Sequence, residues 1–308
     1  EAQLNTAIER FGEALAIDET YAPAWAAMAG VYNNMAGRGF IDWKDGFEQA
    51  RRAAERAVAA DPTYAGGHAE LSWVSHRYDG NLSKAFEQMN RALAASVQDT
   101  EVLADAAVLL LQTGQLDAAV RVLDFCIRRA PTDARLRFNL GVAYKYADDL
   151  DKSLAQFRYL EAHHPDYAGV PQQIAEVHLL AGRPAQAIAI WDTMDGYNRL
   201  KGLAVSRFVL GETAASEALT AELIRDWQDK WPSTIADVYA WTGRADEAFR
   251  WLDIDFEKYG AAGWGEIKLQ RWYDPLRGDP RWAALVLRAG FSEEAVAAYE
   301  LGLELPGR

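Results

Sequence analysis

The chain has 308 residues, half of them hydrophobic, which is enough apolar surface for two globular domains or for one elongated array. Its formal net charge of −13 opposes nucleic-acid binding, because phosphates need clustered lysines and arginines. A single cysteine excludes an internal disulfide and a cysteine-based zinc site. No apolar run reaches the roughly 20 residues that a membrane-spanning helix needs, so we expect neither nucleic-acid binding nor membrane insertion.

From the N-terminus onward, small and large residues recur at matching spacings. Residues 7–19 hold only the second half of the pattern, so we expect the array to begin with a half-unit. The first complete unit starts at Trp25, and residues 35–47 lengthen its internal connection by about nine residues. In the middle of the chain the interval is 34 residues, as between Pro131 and Pro165. The fullest unit contains Leu140, Gly141, Tyr144, Phe157 and Pro165.

Each unit is typical of two helices joined by a short turn, since its apolar residues follow three-and-four spacing. We expect Gly141 to let the paired backbones approach closely and Phe157 to fill the space beside them. Pro165 should end the second helix because proline has no amide hydrogen to donate. A single hairpin leaves an apolar face in water, so the units must stack. The sequence therefore predicts a superhelix of hairpins with a concave groove.

These positions resemble the tetratricopeptide repeat (TPR) family over about residues 1–256. The resemblance implies an all-α, right-handed superhelical solenoid of helical hairpins. Three residues depart from the family pattern: Ser72 stands at a usual glycine, Arg207 at a usual aromatic residue and Asp255 at a usual apolar residue. The unit at 198–228 follows the pattern least.

The pattern changes near Tyr259, and we expect residues 257–308 to form a helical cap that closes the solenoid. Within this tail, Asp279 and Pro280 are typical of the first residues of a helix. Gly290 is typical of the residue that follows a helix. The tail thus predicts a helix between these two signals.

The stretch YDPLRGDPRWAALVLRAGF (273–291) is similar to the closing segment of TPR regions in large bacterial signalling proteins. Those proteins carry an adenylate/guanylate cyclase domain or a winged-helix DNA-binding domain, then a TolB-like domain, before the array. The resemblance implies a regulatory part of such a protein. Because the first residues look like the middle of a hairpin, we expect this chain to be a fragment or a processed product.

First-helix positions that face inward should line the groove. They mix both charge signs with amides and a few aromatic side chains, which suits an extended peptide that needs hydrogen-bond partners and pockets. At each single position the alternative is an ordinary solvated inner face. The predicted groove residues are Asn33, Asn34, Trp73, Arg77, Asp105, Gln112, Arg135, Phe138, Asn139, Lys145, Gln172 and Glu176. Trp241 also faces the predicted groove.

Other candidate sites have simpler explanations. His68 and His76 are eight residues apart and would point in different directions on a helix, which makes them a poor metal pair. Cys126 lies where a small apolar core residue is wanted. No phosphate-cradling G-x-x-x-x-G-K-[ST] loop occurs. We therefore expect no catalytic residue, no metal and no cofactor.

Two functions remain open. The first is a non-catalytic scaffold that binds a peptide or protein segment in the groove, with self-association as one form of it. The second is a regulatory module that senses a small molecule and controls an attached cyclase or transcription-activator domain. A reduced chain without a signal peptide has the cytoplasm as its default location.

Overall fold

The computed structural model describes residues 2–260, 264, 266–292 and 296–303. Among these residues every regular element is helical and there is no strand. They form two compact units. The first comprises the described residues of 1–109, 261–265 and 289–308, and the second comprises 110–260 and 266–288.

The first unit contains stacked hairpins. Helix α2 pairs with α3 and α4 pairs with α5, while α1 packs on α2 and α3 packs on α4. The residues 110–112 at the end of α6 belong to the second unit. The helices are α1 (Ala2–Ile17), α2 (Ala22–Gly37), α3 (Trp43–Ala60), α4 (Ala65–Arg77), α5 (Leu82–Ala95) and α6 (Thr100–Gln112).

The second unit continues with α7 (Leu116–Arg129) and four further hairpins. The hairpins are α8 (Ala134–Tyr146) with α9 (Leu150–His163), α10 (Val170–Leu180) with α11 (Pro184–Trp191), α12 (Gly196–Val209) with α13 (Thr213–Trp227), and α14 (Pro232–Trp241) with α15 (Ala245–Tyr259). Their first helices pack on one another in the order α8, α10, α12, α14. A short 3-10 helix (Arg271–Leu276) and α16 (Pro280–Arg288) follow.

Small residues permit the close approach of the paired helices. A Cβ atom on Gly141 would lie 2.7 Å from the ring of Phe157, which is fully buried. At the turns, Gly114 and Gly182 have φ angles of +84° and +71°, a region that favours glycine. The all-α stack of helical hairpins predicted from the sequence is therefore confirmed.

The three departures from the repeat pattern have local explanations. Ser72 fits because its hydroxyl donates to the carbonyl oxygen of Ala85 at 2.8 Å. Asp255 is buried on α15 and accepts a hydrogen bond from the amide of Ser233 at 3.0 Å, so it caps the first turn of α14. Arg207 donates to Glu212 at 2.7 Å and remains partly exposed.

The long connection expected at 35–47 takes a different form. Helix α2 extends to Gly37 and α3 begins at Trp43, so only residues 38–42 connect them. Asp42 caps α3 by accepting from the amide of Asp45 at 3.0 Å, and Phe47 is fully buried one turn later. The additional residues therefore mainly lengthen the two helices.

The predicted helix in the tail is confirmed as α16. The amide of Arg281 donates to Asp279 at 2.9 Å, and Gly290 follows the helix with φ of +79°. Arg281 and Arg288 on α16 pair with Asp246 and Asp253 on α15 at 2.8 and 2.7 Å. That residues 257–308 act as a cap stays a prediction. Within the described ranges, no helix is long and apolar enough to cross a membrane.

Candidate functional site

Four ionisable residues lie on successive first helices of the second unit. They alternate in sign from α8 to α14, and each is only 5–6% exposed. Lys145 donates to Glu176 at 2.6 Å, and Lys201 donates to Asp237 at 3.0 Å. We call Lys145, Glu176, Lys201 and Asp237 the charge ladder.

Helical geometry places these four side chains on one face. Each first helix has a small residue, Gly or Ala, at its matching repeat position. The ladder residue lies one or four positions after this small residue, or three positions before it. These three offsets point in directions within about 60° of one another around a helix. The corresponding pairs are Gly141 with Lys145, Ala175 with Glu176, Ala204 with Lys201 and Ala236 with Asp237. The small residues fix the packing of each first helix, so the face carrying the ladder is fixed as well.

The ladder is electrostatically self-compensating. Burial alone would raise the pKa of Glu176, but the ammonium groups of Lys145 and Lys201 outweigh it and hold that pKa below its ordinary value. Burial would lower the pKa of Lys201, but Asp237 and Glu176 outweigh it and keep that pKa above its ordinary value. Glu176 and Lys201 therefore stay charged while buried.

A later part of the chain lies over the ladder. We call residues 266–276 the cover segment. The ring of Trp272 lies 4.7 Å from Nζ of Lys201 and packs edge-on against Trp241, with 5.4 Å between ring centroids. Tyr273 is buried, and the pKa of its hydroxyl is raised well above the ordinary value by that burial and by the neighbouring Asp237. The cover segment thus places two adjacent aromatic residues over Lys201 and Asp237, which we call the lower half of the ladder.

The beginning of the cover segment is held by polar contacts. The hydroxyl of Tyr146 donates to Glu266, and Nε2 of Gln112 donates to the same carboxylate at 3.5 Å. Burial, and then the charge of Glu266, raises the pKa of Tyr146 well above its ordinary value. Arg271 forms ion pairs with Asp148 and with Asp274 at its outer side.

Two acceptors beneath the cover segment have no hydrogen-bond partner among the described residues. They are Oδ1 of Asp237 and Oε1 of Gln112, both fully shielded from water. A buried acceptor without a partner costs free energy, because its hydrogen bond to water is lost and not replaced. The cover segment is therefore an imperfect complement to the surface it covers.

The structure brings together four of the predicted groove residues of the second unit. Lys145 also donates to Gln173 at 2.6 Å, and Gln172 donates to Glu176 at 3.1 Å. These four side chains form one hydrogen-bonded network. Gln112 shares the carboxylate of Glu266 with Tyr146, whose ring centroid lies 5.3 Å from Nζ of Lys145.

Three other predicted residues of this unit lie near the start of α8. Phe138 packs against Phe157 and Tyr167, with centroid distances of 5.6 and 5.4 Å, so its ring contributes to hairpin packing. Arg135 and Asn139 are half-buried. A peptide-binding role for all three stays a prediction.

In the first unit, Asn33 is buried and donates to Glu70 at 2.5 Å, whereas Asn34 is exposed. Trp73 is half-buried beside His76, with 6.4 Å between ring centroids. Half-buried Arg77 packs over Gly37, since a Cβ atom there would lie 3.0 Å from its guanidinium.

Asp105 on α6 is half-buried. A ligand-binding role for these predicted residues of the first unit also stays a prediction.

Sequence reasoning missed Lys201, Asp237 and the whole cover segment. The ladder residues had a usable signal, because Asp237 occupies the same position after Ala236 as Glu176 does after Ala175. Lys201 was not predicted because the repeat around α12 is short. Its turn glycine, Gly211, follows Gly182 by 29 residues, whereas the regular interval is 34. Nothing in the repeat pattern indicates where residues 266–276 pack.

The other candidate side chains are structural. His68 is buried and its ring nitrogens lie 2.8 Å from Gln88 Oε1 and 3.1 Å from the carbonyl oxygen of Pro62. Cys126 is a fully buried free thiol, as expected. Across the described part of the chain, no group of three or more histidine, cysteine, aspartate or glutamate side chains could hold a metal ion.

The second unit also contains a small cavity. Its volume is about 80 Å³, and it lies among α12, α13 and α14. Ser216 and Thr220 on α13 line it, and Thr220 stands at the position where other hairpins carry larger residues, such as Phe157 and Trp191. Thr242 and Arg244 add polar atoms to the lining.

No protein-family model matches the chain, and no curated protein matches its sequence. Among solved structures, human IFIT1 as a dimer with m7Gppp-AAAA has a TM-score of 0.61 at 16% identity, over 84% of this chain and 68% of that chain. A TPR protein from Parabacteroides merdae has a TM-score of 0.54 at 15% identity, over 78% and 93%. PilW, a widely conserved type IV pilus biogenesis factor, has a TM-score of 0.51 at 17% identity, over 65% and 93%. The chain therefore has the helical-hairpin fold of tetratricopeptide repeat proteins.

Proposed function

We propose that this chain is a non-catalytic scaffold that binds a polypeptide segment on the first-helix surface of its second unit. The observation that carries the proposal is the cover segment, which occupies this surface through aromatic and hydrogen-bonded contacts. A surface that accepts one short stretch of polypeptide has the chemistry to accept another.

The charges of the site favour a polypeptide over a nucleic acid. The ladder carries two ammonium groups and two carboxylates, so its formal charge is zero, and the whole chain carries −13. Phosphate backbones need an excess of positive charge, which this surface lacks. Peptide groups, in contrast, are neutral donors and acceptors that match amides such as Gln172 and Gln173.

A panning experiment tests this function. A library of short random peptides is selected against the full chain carrying Trp272→Ala and Tyr273→Ala, which weakens the cover segment. We expect enriched peptides whose binding is lost when Lys201→Met and Asp237→Leu are added, because these changes remove the lower half of the ladder. The proposal would be contradicted if no peptide is enriched. It would also be contradicted if the enriched peptides bind equally well with and without Lys201→Met and Asp237→Leu.

The small cavity in the second unit supports a second candidate function. A space of about 80 Å³ next to α14, with a few hydroxyl groups in its lining, could hold a small ligand whose binding favours one arrangement of the hairpins. A thermal-shift screen against metabolites discriminates the two functions, since specific binding raises the melting temperature. A hit that is abolished by Thr220→Val and retained by the Lys201→Met and Asp237→Leu variant would favour this candidate.

We further propose that the chain is a regulatory part of a larger bacterial signalling protein that works in the cytoplasm. Support comes from the resemblance of residues 273–291 to TPR regions that follow cyclase, winged-helix and TolB-like domains. Co-purification of this chain with such a domain of the same protein, expressed separately, would be the expected result. Independent behaviour of the two pieces in size-exclusion chromatography would argue against it.

A further inference from the structure

The cover segment differs from the core beneath it in one important way. The residues that fill hairpins at their closest approach, such as Phe157 and Trp191, are apolar, whereas the surface under Trp272 and Tyr273 retains two buried charges, Lys201 and Asp237. A buried ion pair gains little over well-packed apolar residues of the same volume, because desolvation offsets the attraction of the charges. Apolar residues would serve equally well on a surface that is always covered. Charged residues suit a surface that is also exposed to water, because water solvates them there.

The fit of the cover segment is incomplete at two places. Near Glu266, the amide oxygen of Gln112 has no partner, and near Tyr273, Oδ1 of Asp237 has none among the described residues. Several of the contacts that hold the segment are also at its outer side, such as the ion pair between Arg271 and the exposed Asp148. Removing the segment therefore exposes groups that water can solvate and releases two unsatisfied acceptors.

The segment has a recognisable order of side chains. An acidic residue, Glu266, contacts Tyr146 and Gln112, and six positions later the pair Trp272 and Tyr273 contacts the ladder. The apolar Leu269 lies between them and packs near the turn at Gly114. A ligand with the same order would meet the same partners.

We propose that the cover segment is an exchangeable occupant, and that the second unit binds in trans a protein segment in which an acidic residue is followed six positions later by Trp-Tyr. This inference rests on the proposed function and adds the chemistry of the ligand. The chain's own segment competes for the surface. Its covalent attachment gives it a high effective concentration, so the partner binds weakly until the cover segment is loosened.

The test uses a fluorescent synthetic peptide with the sequence of residues 266–276, EIKLQRWYDPL, and the full chain in two forms. One form is unchanged and the other carries Trp272→Ala and Tyr273→Ala. We expect the variant to bind the peptide about tenfold or more tightly than the unchanged chain, because its own segment competes poorly. A control peptide with alanine at both aromatic positions should bind neither form.

Equal affinity of the two forms for the peptide, or equal binding of the control peptide, would overturn the inference. The absence of peptide binding to both forms would also overturn the inference. The proposed function would still be tested separately, by the peptides selected in the panning experiment. The unchanged chain provides a measurement that does not depend on the folding of a variant. Excess unlabelled peptide should increase amide hydrogen exchange within residues 271–276 and leave α12 unchanged, since only the cover segment is displaced. Unaltered exchange in residues 271–276 would contradict the proposal.

Discussion

At the scale of single residues, the packing of the hairpins depends on the absence of side chains at a few positions. A Cβ atom on Gly202 would lie 2.2 Å from the ring of Trp191, and one on Gly141 would lie 2.7 Å from Phe157. Both rings are fully buried and have no free space to move into. The glycines are therefore required by sterics, since φ is not positive at either one.

Gly141→Ala should lower the free energy of unfolding by about 1–3 kcal/mol, and Gly202→Ala by at least as much, because each added methyl group displaces a buried ring. Gly12→Ala is the matched control. This glycine is in α1 with no atom within 4 Å of an added Cβ, so the change should stabilise the chain by about 0.5–1 kcal/mol. Urea unfolding measures all three, and equal effects at the three sites would refute the steric explanation.

At the scale of elements, the four first helices of the second unit are joined by charges as well as by apolar contacts. Lys201 on α12 and Asp237 on α14 are both buried and paired at 3.0 Å. Removing one partner of a buried pair leaves an uncompensated charge, whereas removing both does not.

Lys201→Met alone should therefore destabilise the chain by about 3–5 kcal/mol. The double change Lys201→Met with Asp237→Leu should cost less than the single change, because no lone carboxylate is left beneath Trp272. Thermal and urea unfolding of both variants provide the comparison. A double variant that is less stable than the single one would show that the pair itself, and not its compensation, stabilises these helices.

The elements also show how far the sequence can be interpreted. Hairpins, turn glycines and the tail helix after Asp279 are predictable because each depends on local spacing and local steric rules. Half of the ladder, Lys145 and Glu176, follows from the inward-facing positions of regular repeats. Lys201 was not predicted because its repeat unit is shorter than the others. The position of the cover segment was not predicted because contacts such as Tyr146 with Glu266 join residues that are 120 positions apart. No local pattern encodes such a pairing.

At the scale of the whole molecule, the buried ionisable groups determine the pH range of stability. The pKa values of Tyr146, Tyr273 and Lys201 are raised in the folded chain. A raised pKa contributes stability below the unfolded value, and this stability is lost as the pH rises through the folded value. The pKa of Glu176 is lowered, so its contribution is present above the unfolded value and is lost as the pH falls.

We expect stability to decrease above about pH 10, where unfolded tyrosine and lysine lose their protons, and below about pH 4.5, where unfolded glutamate gains one. Tyrosinate absorbance should show that two of the 13 tyrosines ionise only as the chain unfolds. The Tyr146→Phe and Tyr273→Phe variants should each remove one tyrosine from that group. Ionisation of all tyrosines in the folded state would contradict the burial of these two hydroxyl groups.

The chain's own residues 266–276 lie on the first-helix surface of the second unit. A double-mutant cycle between Trp272→Ala and Trp241→Ala measures this contact, with the exposed Arg158→Ala as the control partner for Trp272→Ala. We expect a coupling energy of about 0.5–3 kcal/mol for the tryptophan pair and additivity within about 0.5 kcal/mol for the control. Additive effects of the two tryptophan substitutions would mean that the rings do not meet in the folded chain, and the proposed occupant of the site would be wrong.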